Sequence, residues 1–526
     1  MVLTILNRIY NSSYFPHAYI PHIVVGIVAV VVLHALTQGR RTSRDRDLHA
    51  RTVLLTGAFS SSLGITLLQE LAKRGAHVVC LTEKKLDDPR VTIMVSLVRA
   101  ATGNENIWAE QCNLEDLTSV RGFCTRFLTG DAGADGMSKE EKERQKEALP
   151  PGAAAPADQR LDAIVFAHEY KHIGFFWGSG AEDDKSRERL SLGSFLMTTL
   201  LLPALLVAPV ERDIRIVNVV NPFYAAAAGP GFTDPSFKPR SGSTFLLEGT
   251  RSLRSIILTR HLQRILDALP SPQAPPTNAT DASGGVRVVS SKVQKSNIVA
   301  VSVSPGVSKV DTVAPLIGAV WGASDGERVE RRSALGIILY ILLQPLLRIF
   351  TKSPTSSIQS ILHALFLPTP FKSLALGIAE AEALAEAEAA AEKAKKEGKD
   401  PVPEEKPKTL KKPVFKEVLK PGALYSECAV VQLRVPTQGK DVEKAEEKKG
   451  DSKEGRKKGV KGREKAQDAG KEAVDGPIEL EDDGEYGGED VGRRVWEAYE
   501  GALKLWEASV SKAAGSGKEK GKEAKQ

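Results

Sequence analysis

The sequence predicts an α/β domain: a doubly wound parallel sheet with helices on both faces, behind an N-terminal apolar helix and interrupted by charged insertions. Three observations predict it. Short β-branched apolar runs alternate with longer stretches whose leucines recur at helical spacing. Several of those runs are apolar throughout, as strands covered on both faces must be. The segments of low apolar content fall between the elements and leave their order intact.

Taken in order, RTVLLTG (51–57) is a strand ending in a turn, and SLGITLLQELAKRG (62–75) is a helix stopped at Gly75. HVVCLT (77–82) is the next strand, Pro89 to Ala101 a helix, NIWAEQCNL (106–114) a strand and LTSVRGFCTRFL (117–128) a helix. LDAIVFA (161–167) is a continuous apolar strand, and SLGSFLMTTLLLPALL (191–206) is a largely buried helix. DIRIVNVV (213–220) and SNIVAVSVS (296–304) are strands, with a long helix from about Phe245 to Leu266 between them. This alternation predicts a parallel sheet covered on both faces.

Between the elements lie segments that cannot build a core. They are the Gly/Ala/Glu/Lys-rich 129–159, the Pro/Ser/Thr-rich 270–285, the Ala/Glu/Lys run and Pro-rich link of 379–412, and the charged 436–490. All are expected to be disordered or solvated. In 491–510, Val495, Tyr499, Leu503 and Trp506 share one face of an amphipathic helix. Residues 511–526 read as a disordered tail. The organisation is therefore a short segment 1–19, an anchor at 20–37, a domain over 50–435 with its insertions, and the returning helix.

The anchor is IPHIVVGIVAVVVLHAL (20–36), long enough to span a bilayer with its flanks. It lacks a small-residue cleavage site. Arg40, Arg41, Arg44 and Arg46 follow it, and only Arg8 precedes it, which predicts a cytosol-facing domain. The net charge of +6 is interleaved with acidic residues, which argues against a nucleic-acid stripe. Four cysteines without ligand spacing read as reduced thiols.

The first strand and helix are joined by T-G-A-F-S-S-S-L-G (56–64), a turn that brings backbone N–H groups to a diphosphate at a helix N-terminus. From here the chain resembles the short-chain dehydrogenase/reductase superfamily, a Rossmann-type fold, and in particular its retinol-dehydrogenase-like branch. The turn looks like that family's TGxxxGxG with one extra residue. CNLEDLTSVR (112–121) is similar to its adenine-bordering segment, and LDAIVFAHE (161–169) to the strand that ends in N-N-A-G. LGSFLMTTLLLPALL (192–206), RIVNVVN (215–221) and SVSPGVSKVDT (302–312) match further segments in order, the last resembling the one that covers the nicotinamide. GALYSECAVV and GRRVWEAYE look like the closing strand and helix.

The resemblance implies NAD or NADP as cofactor, with Gly57, Ser61, Ser62, Gly64, Ile65, Glu83, Asn113, Leu114, Pro305 and Gly306 at the nucleotide. Glu83 is followed by Lys84 and Lys85, so the residues after the second strand do not discriminate between the two. It also implies an Asn–Ser–Tyr–Lys tetrad, whose positions here hold Leu190, Asn221, Glu248 and Ser252. None of the nine tyrosines has a lysine four residues later, so the pair is absent whatever the alignment. Glu248 is the one replacement that can titrate, and a solvent-exposed helix glutamate is the commoner case.

His168-Glu169-Tyr170-Lys171-His172 matches H-E-x-x-H, with Glu182 and Glu188 as third ligands nothing selects. Zinc hydrolysis needs that motif on a helix. Here it follows a β-branched run and is expected to start a loop, so no metal site is expected. SALGIILYILLQPLLRIF (333–350) is apolar all round but contains Gln344 and Pro345, and suits a lipid-like ligand or a helix lying on the bilayer; a second span would pull the closing strand and helix to the other side of the membrane, and fold integrity argues against it. The expectation is a membrane-anchored, cytosol-facing, dehydrogenase-like protein that is catalytically degenerate and binds a nucleotide or a hydrophobic ligand. The expected host membrane is the endoplasmic reticulum or a lipid droplet. The alternatives are an active NAD(P)-dependent oxidoreductase on a lipidic carbonyl or alcohol, and the zinc hydrolase.

Overall fold

A computed structural model describes residues 20–129, 160–171, 173–177, 181–208, 212–228, 237, 243–269, 297–319, 333–372, 417–433, 435 and 483–523. Eight strands form one sheet in the order β3-β2-β1-β4-β5-β6-β7-β8. They are β1 Thr52–Thr56, β2 His77–Thr82, β3 Ile107–Gln111, β4 Ala163–Phe166, β5 Ile214–Val219, β6 Ile298–Ser304, β7 Leu424–Ser426 and β8 Ala429–Val431. All neighbours are parallel except β7 and β8, which form an antiparallel hairpin. Strand order reverses between β1 and β4, and a ligand crevice forms outside the carboxyl ends of strands at such a point.

The period of two in each strand divides the core between the faces of the sheet. Leu54, Val79, Ile164 and Ile216 point to one face. There they meet α4 (Leu117–Thr129), α5 (Ala181–Leu206), α6 (Thr244–Ala268) and α9 (Gly488–Glu523). Val53, Leu55, Val78, Cys80, Val165 and Val217 point to the other. That side is covered by α2 (Ser62–Lys73), α3 (Pro89–Thr102) and α8 (Gln359–Phe366). The four cysteines are free thiols, and burial pushes those of Cys80, Cys112 and Cys124 upward.

The structure corrects four of these expectations. Helix α5 begins ten residues before the expected Ser191, because its polar first turns carry no apolar periodicity. The single closing strand is a hairpin, with Glu427 and Cys428 at positive φ in its turn. Residues 483–490, expected within a disordered stretch, are folded. The Tyr486 hydroxyl accepts from Leu424 N (3.0 Å) and donates to Val431 O (3.1 Å), while Asp483 pairs with Arg260 and Arg264. One aromatic among acids and glycines gave no periodic signal. The returning helix also extends to Glu523, past the expected boundary at 510. Residues 130–159, 270–285, 379–412 and 436–482 lie outside the described residues.

Two described helices are long and apolar enough to cross a membrane. One lies within α5 and is mostly buried as a core helix. The other is α1 (Ile20–Gln38), whose apolar window is not buried at all. A shorter apolar helix, α7 (Ala334–Phe350), packs Tyr340 and Leu347 on the segment 313–319.

Candidate cofactor cradle and catalytic positions

The β1–α2 turn, which the resemblance places at the diphosphate, is tightly built. Gly57 stands at φ +71°, and a Cβ there would lie 2.8 Å from the backbone of His168. A Cβ on Gly64 would collide with the Gly57 carbonyl, so only glycine lets the helix start this close to the strand. Ser61 caps α2 by accepting from Gly64 N (2.9 Å). Ile65 lies in the first turn, half-buried.

The donors at this helix start are occupied from within the chain. Asp311, in the turn after β6, accepts from Ser62 N (2.9 Å), Ser62 Oγ (2.6 Å) and Leu63 N (3.1 Å). It is buried, and its carboxylate lies where the helix dipole favours an anion. The turn that carries it is pinned. Ser308 N donates to Thr312 Oγ1 (3.0 Å), Thr312 Oγ1 to Tyr170 Oη (3.3 Å), and Tyr170 Oη to Gly306 O (2.7 Å). Pro305 is buried beneath it, and Tyr170 is wholly buried, so burial pushes its phenol upward. A dinucleotide's diphosphate would have to use the amides that Asp311 holds. As arranged, these residues do not fit it.

The remaining nucleotide positions are scattered in role. Glu83 is exposed at the end of β2. Asn113 works as a local turn residue, accepting from Glu115 N (2.9 Å) while Ser119 Oγ accepts its own N–H (2.9 Å). Leu114 is core, and its carbonyl is where a Cβ on Gly193 would fall.

The four positions at which the resemblance implies the tetrad meet a different fate. Leu190 is packed in the core, and Ser252 is buried one turn beyond Glu248 on α6. Asn221, just past β5, is brought to Glu248, its Nδ2 donating to Oε2 at 3.4 Å. Glu248 is buried, not on a solvent-exposed helix face as expected. Gly174 N donates to its Oε1 (2.9 Å), Arg187 Nε lies 3.2 Å from Oε1, and Arg251 Nη2 lies 2.6 Å from Oε2. A carboxylate has about four acceptor sites, and all four are taken.

Beside this pair lies Glu169. Burial pushes its carboxyl upward, against the opposing pull of Arg251, Ser191 and Arg254. Ser191 Oγ also contacts Tyr499 Oη (2.8 Å), and the Arg254 guanidinium covers the Phe237 ring at 3.6 Å. This Arg/Glu cluster was invisible in sequence, where its members are spread over 169–254 among ordinary charged residues. A raised carboxyl resists ionisation in the folded chain. Below the ordinary carboxylate range both states are protonated and nothing is lost. As pH rises through that range the unfolded chain ionises first, and stability is lost. Glu169→Gln is therefore expected to raise the melting temperature, more at pH 8 than at pH 5. Thermal scans at the two pH values check this, and an equal effect at both would contradict it.

The H-E-x-x-H match begins as a single 3-10 turn, His168–Tyr170, at the end of β4. His168 Nδ1 contacts Thr56 Oγ1 (2.8 Å), Glu169 joins the arginine cluster, and His172 lies outside the described residues. Glu188 is also pushed upward by burial, with Arg254 opposing, and the side chain of Glu182 is not among those described. Among the described residues no three His, Cys, Asp or Glu side chains are placed to hold a metal.

No family model matches the chain. Over 352 residues it is 26% identical to an uncharacterized oxidoreductase of Saccharomyces cerevisiae, covering 65% of this chain and 74% of that one. An uncharacterized oxidoreductase of Schizosaccharomyces pombe is 24% identical over 350 residues, 65% of this chain and 77% of that one. Dehydrogenase/reductase SDR family member 13 of Homo sapiens is 24% identical over 201 residues, 36% of this chain and 42% of that one. A solved short-chain dehydrogenase from Sphingobium yanoikuyae in complex with NADPH is 16% identical, with a TM-score of 0.31 over 49% of this chain and 72% of that one. A short-chain dehydrogenase from Salmonella enterica is 12% identical, with a TM-score of 0.32 over 60% and 96%.

Proposed function

We propose that this short-chain dehydrogenase/reductase-like chain is a membrane-anchored protein without carbonyl-reductase turnover, serving as a scaffold or as a sensor of a hydrophobic ligand. One observation carries the reading. Glu248 and Asn221, at the positions of the family's proton donor and its orienting serine, are spent on each other and on Arg187, Arg251 and Gly174 N. Reduction of a carbonyl needs a donor of matched pKa aimed at the substrate oxygen. A carboxylate whose oxygens are all engaged by these neighbours is not aimed at a substrate oxygen.

The membrane reading rests on α1 and what adjoins it. Thr37 Oγ1 donates to Ile349 O (2.6 Å), Gln38 Nε2 to Thr351 O (3.1 Å), and Ser353 N to Gln38 Oε1 (3.0 Å). These bonds tie the end of the apolar helix to the end of α7. The outer stripe of α7, Leu335, Ile338, Leu342 and Leu346, is exposed, which favours a helix lying on the bilayer beside α1. The linker is fixed to the domain as well, with Arg46 Nη1 2.8 Å from the Asp213 carboxylate.

The test uses the full chain in lipid nanodiscs with retinal, steroid and fatty-aldehyde substrates, and with NADPH and NADH in turn. No nicotinamide oxidation above the empty-disc rate is expected. Turnover that disappears in Glu248→Gln would establish the rival reading, an active oxidoreductase on a lipidic carbonyl. Protease added to intact microsomes is expected to digest the chain beyond Arg51, whereas glycosylation at the Asn278 sequon would reverse the topology.

A further inference from the structure

We propose that Asp311 is an internal ligand of the diphosphate cradle, so that this chain excludes a nucleoside diphosphate from the site its fold provides. The inference rests on the cradle being intact. Gly57 and Gly64 keep the turn tight enough for α2 to present its first amides, and Ser61 caps Gly64 N and leaves the amides of Ser62 and Leu63 for a ligand. A helix start of this kind accepts phosphate oxygens. Here the acceptor is a side chain 249 residues away in sequence, with three donors on its two oxygens and almost no exposure to solvent.

Three features make this a built arrangement. The Asp311 carboxylate reaches both the backbone and the side chain of Ser62, as a phosphate oxygen pair would. Its turn is a π-helical one, Lys309–Val313, a geometry concentrated at functional sites. That turn is held to β4 through Tyr170 and to the segment after α7 through Lys352 N, which donates to Val307 O (2.9 Å). A diphosphate would therefore meet a fixed negative charge within hydrogen-bond distance of its own seat, where two anions cannot both be held. Nucleotide binding and Asp311 in its place are mutually exclusive.

The test is calorimetric titration of the full chain in detergent micelles with ADP, and separately with inorganic pyrophosphate. The wild-type chain is expected to give no binding heat. Asp311→Ala removes the plug, and Asp311→Ser removes its charge while keeping a hydroxyl near the helix start; Ser61 still caps α2 in both. The melting temperature and near-ultraviolet dichroism of each variant report that it is folded. Folded variants are expected to bind ADP at least about tenfold more tightly than the wild type, equivalent to about 1.4 kcal/mol. Wild-type binding as tight as the variants' would overturn the proposal, as would a folded variant that binds no better than wild type. These outcomes are independent of the turnover assay, which concerns Glu248 and not the cradle.

Discussion

A chain ending at residue 482 is expected not to fold. Helix α9 lays Val491, Val495, Tyr499 and Trp506 on the sheet face that α5 and α6 also cover, and Tyr499 is completely enclosed. Burying a large apolar side chain contributes about 1.5–3 kcal/mol, so these four represent roughly 6–12 kcal/mol. That is comparable to the whole stability of an ordinary domain, ~5–15 kcal/mol. The truncation would also strip Asp483 from Arg260 and Arg264 and remove the rings of Trp496 and Tyr499 from Phe195. The expected result is aggregation on size-exclusion chromatography and loss of near-ultraviolet dichroism. A soluble truncated chain with an unchanged melting temperature would mean that α9 is an accessory. Replacing residues 438–480 with a short Gly/Ser linker is expected to leave the melting temperature within a few degrees. That stretch has too little apolar content to offset its own ordering.

The second large effect is expected at Glu248. Glu248→Ala leaves the buried guanidiniums of Arg187 and Arg251 without their shared carboxylate and the Gly174 amide without its acceptor. Breaking a buried ion pair from one side costs about 3–5 kcal/mol. Chemical denaturation of the full chain in micelles should show a loss of that size. Glu248→Gln keeps the shape and one acceptor oxygen and is expected to lose less. Removing the charge from both sides, Glu248→Gln with Arg251→Met, should cost less than the two single changes added together, because the groups are in direct contact. Strict additivity, or a loss below about 1 kcal/mol for Glu248→Ala, would show that the network is solvated and would weaken the case for a closed catalytic position.

Much of this protein was legible residue by residue. The β-branched runs gave β1 to β6 to within two residues, except that β3 ends at Gln111, three residues before the expected Leu114, because strands covered on both faces must be apolar whatever surrounds them. The TGAFSSSLG turn announced the first β–α crossing, because the backbone approaches at Gly57 and Gly64 leave no room for a Cβ. The absence of any tyrosine with a lysine four residues later is a property of the sequence alone.

What the sequence could not carry is partnership between distant charges. Asp311 appears as one more acid in a polar turn, and only the fold carries it to the start of α2. Glu248 reads as a surface residue because Glu is seldom buried. It is buried here because α5 supplies Arg187, α6 supplies Arg251 and the chain after β5 supplies Asn221. Tyr486 is hidden among acids and glycines for the same reason, its two hydrogen bonds lying on the β7–β8 hairpin. Local backbone preference and apolar periodicity are written within a few consecutive residues, so the order of the elements, the apolar N-terminal helix and the absence of a tyrosine–lysine pair are determined by sequence. The energy of a buried charge depends on what stands within a few ångströms in space. The contacts of Asp311 at the start of α2 and the network around Glu248 were therefore decided by tertiary structure alone.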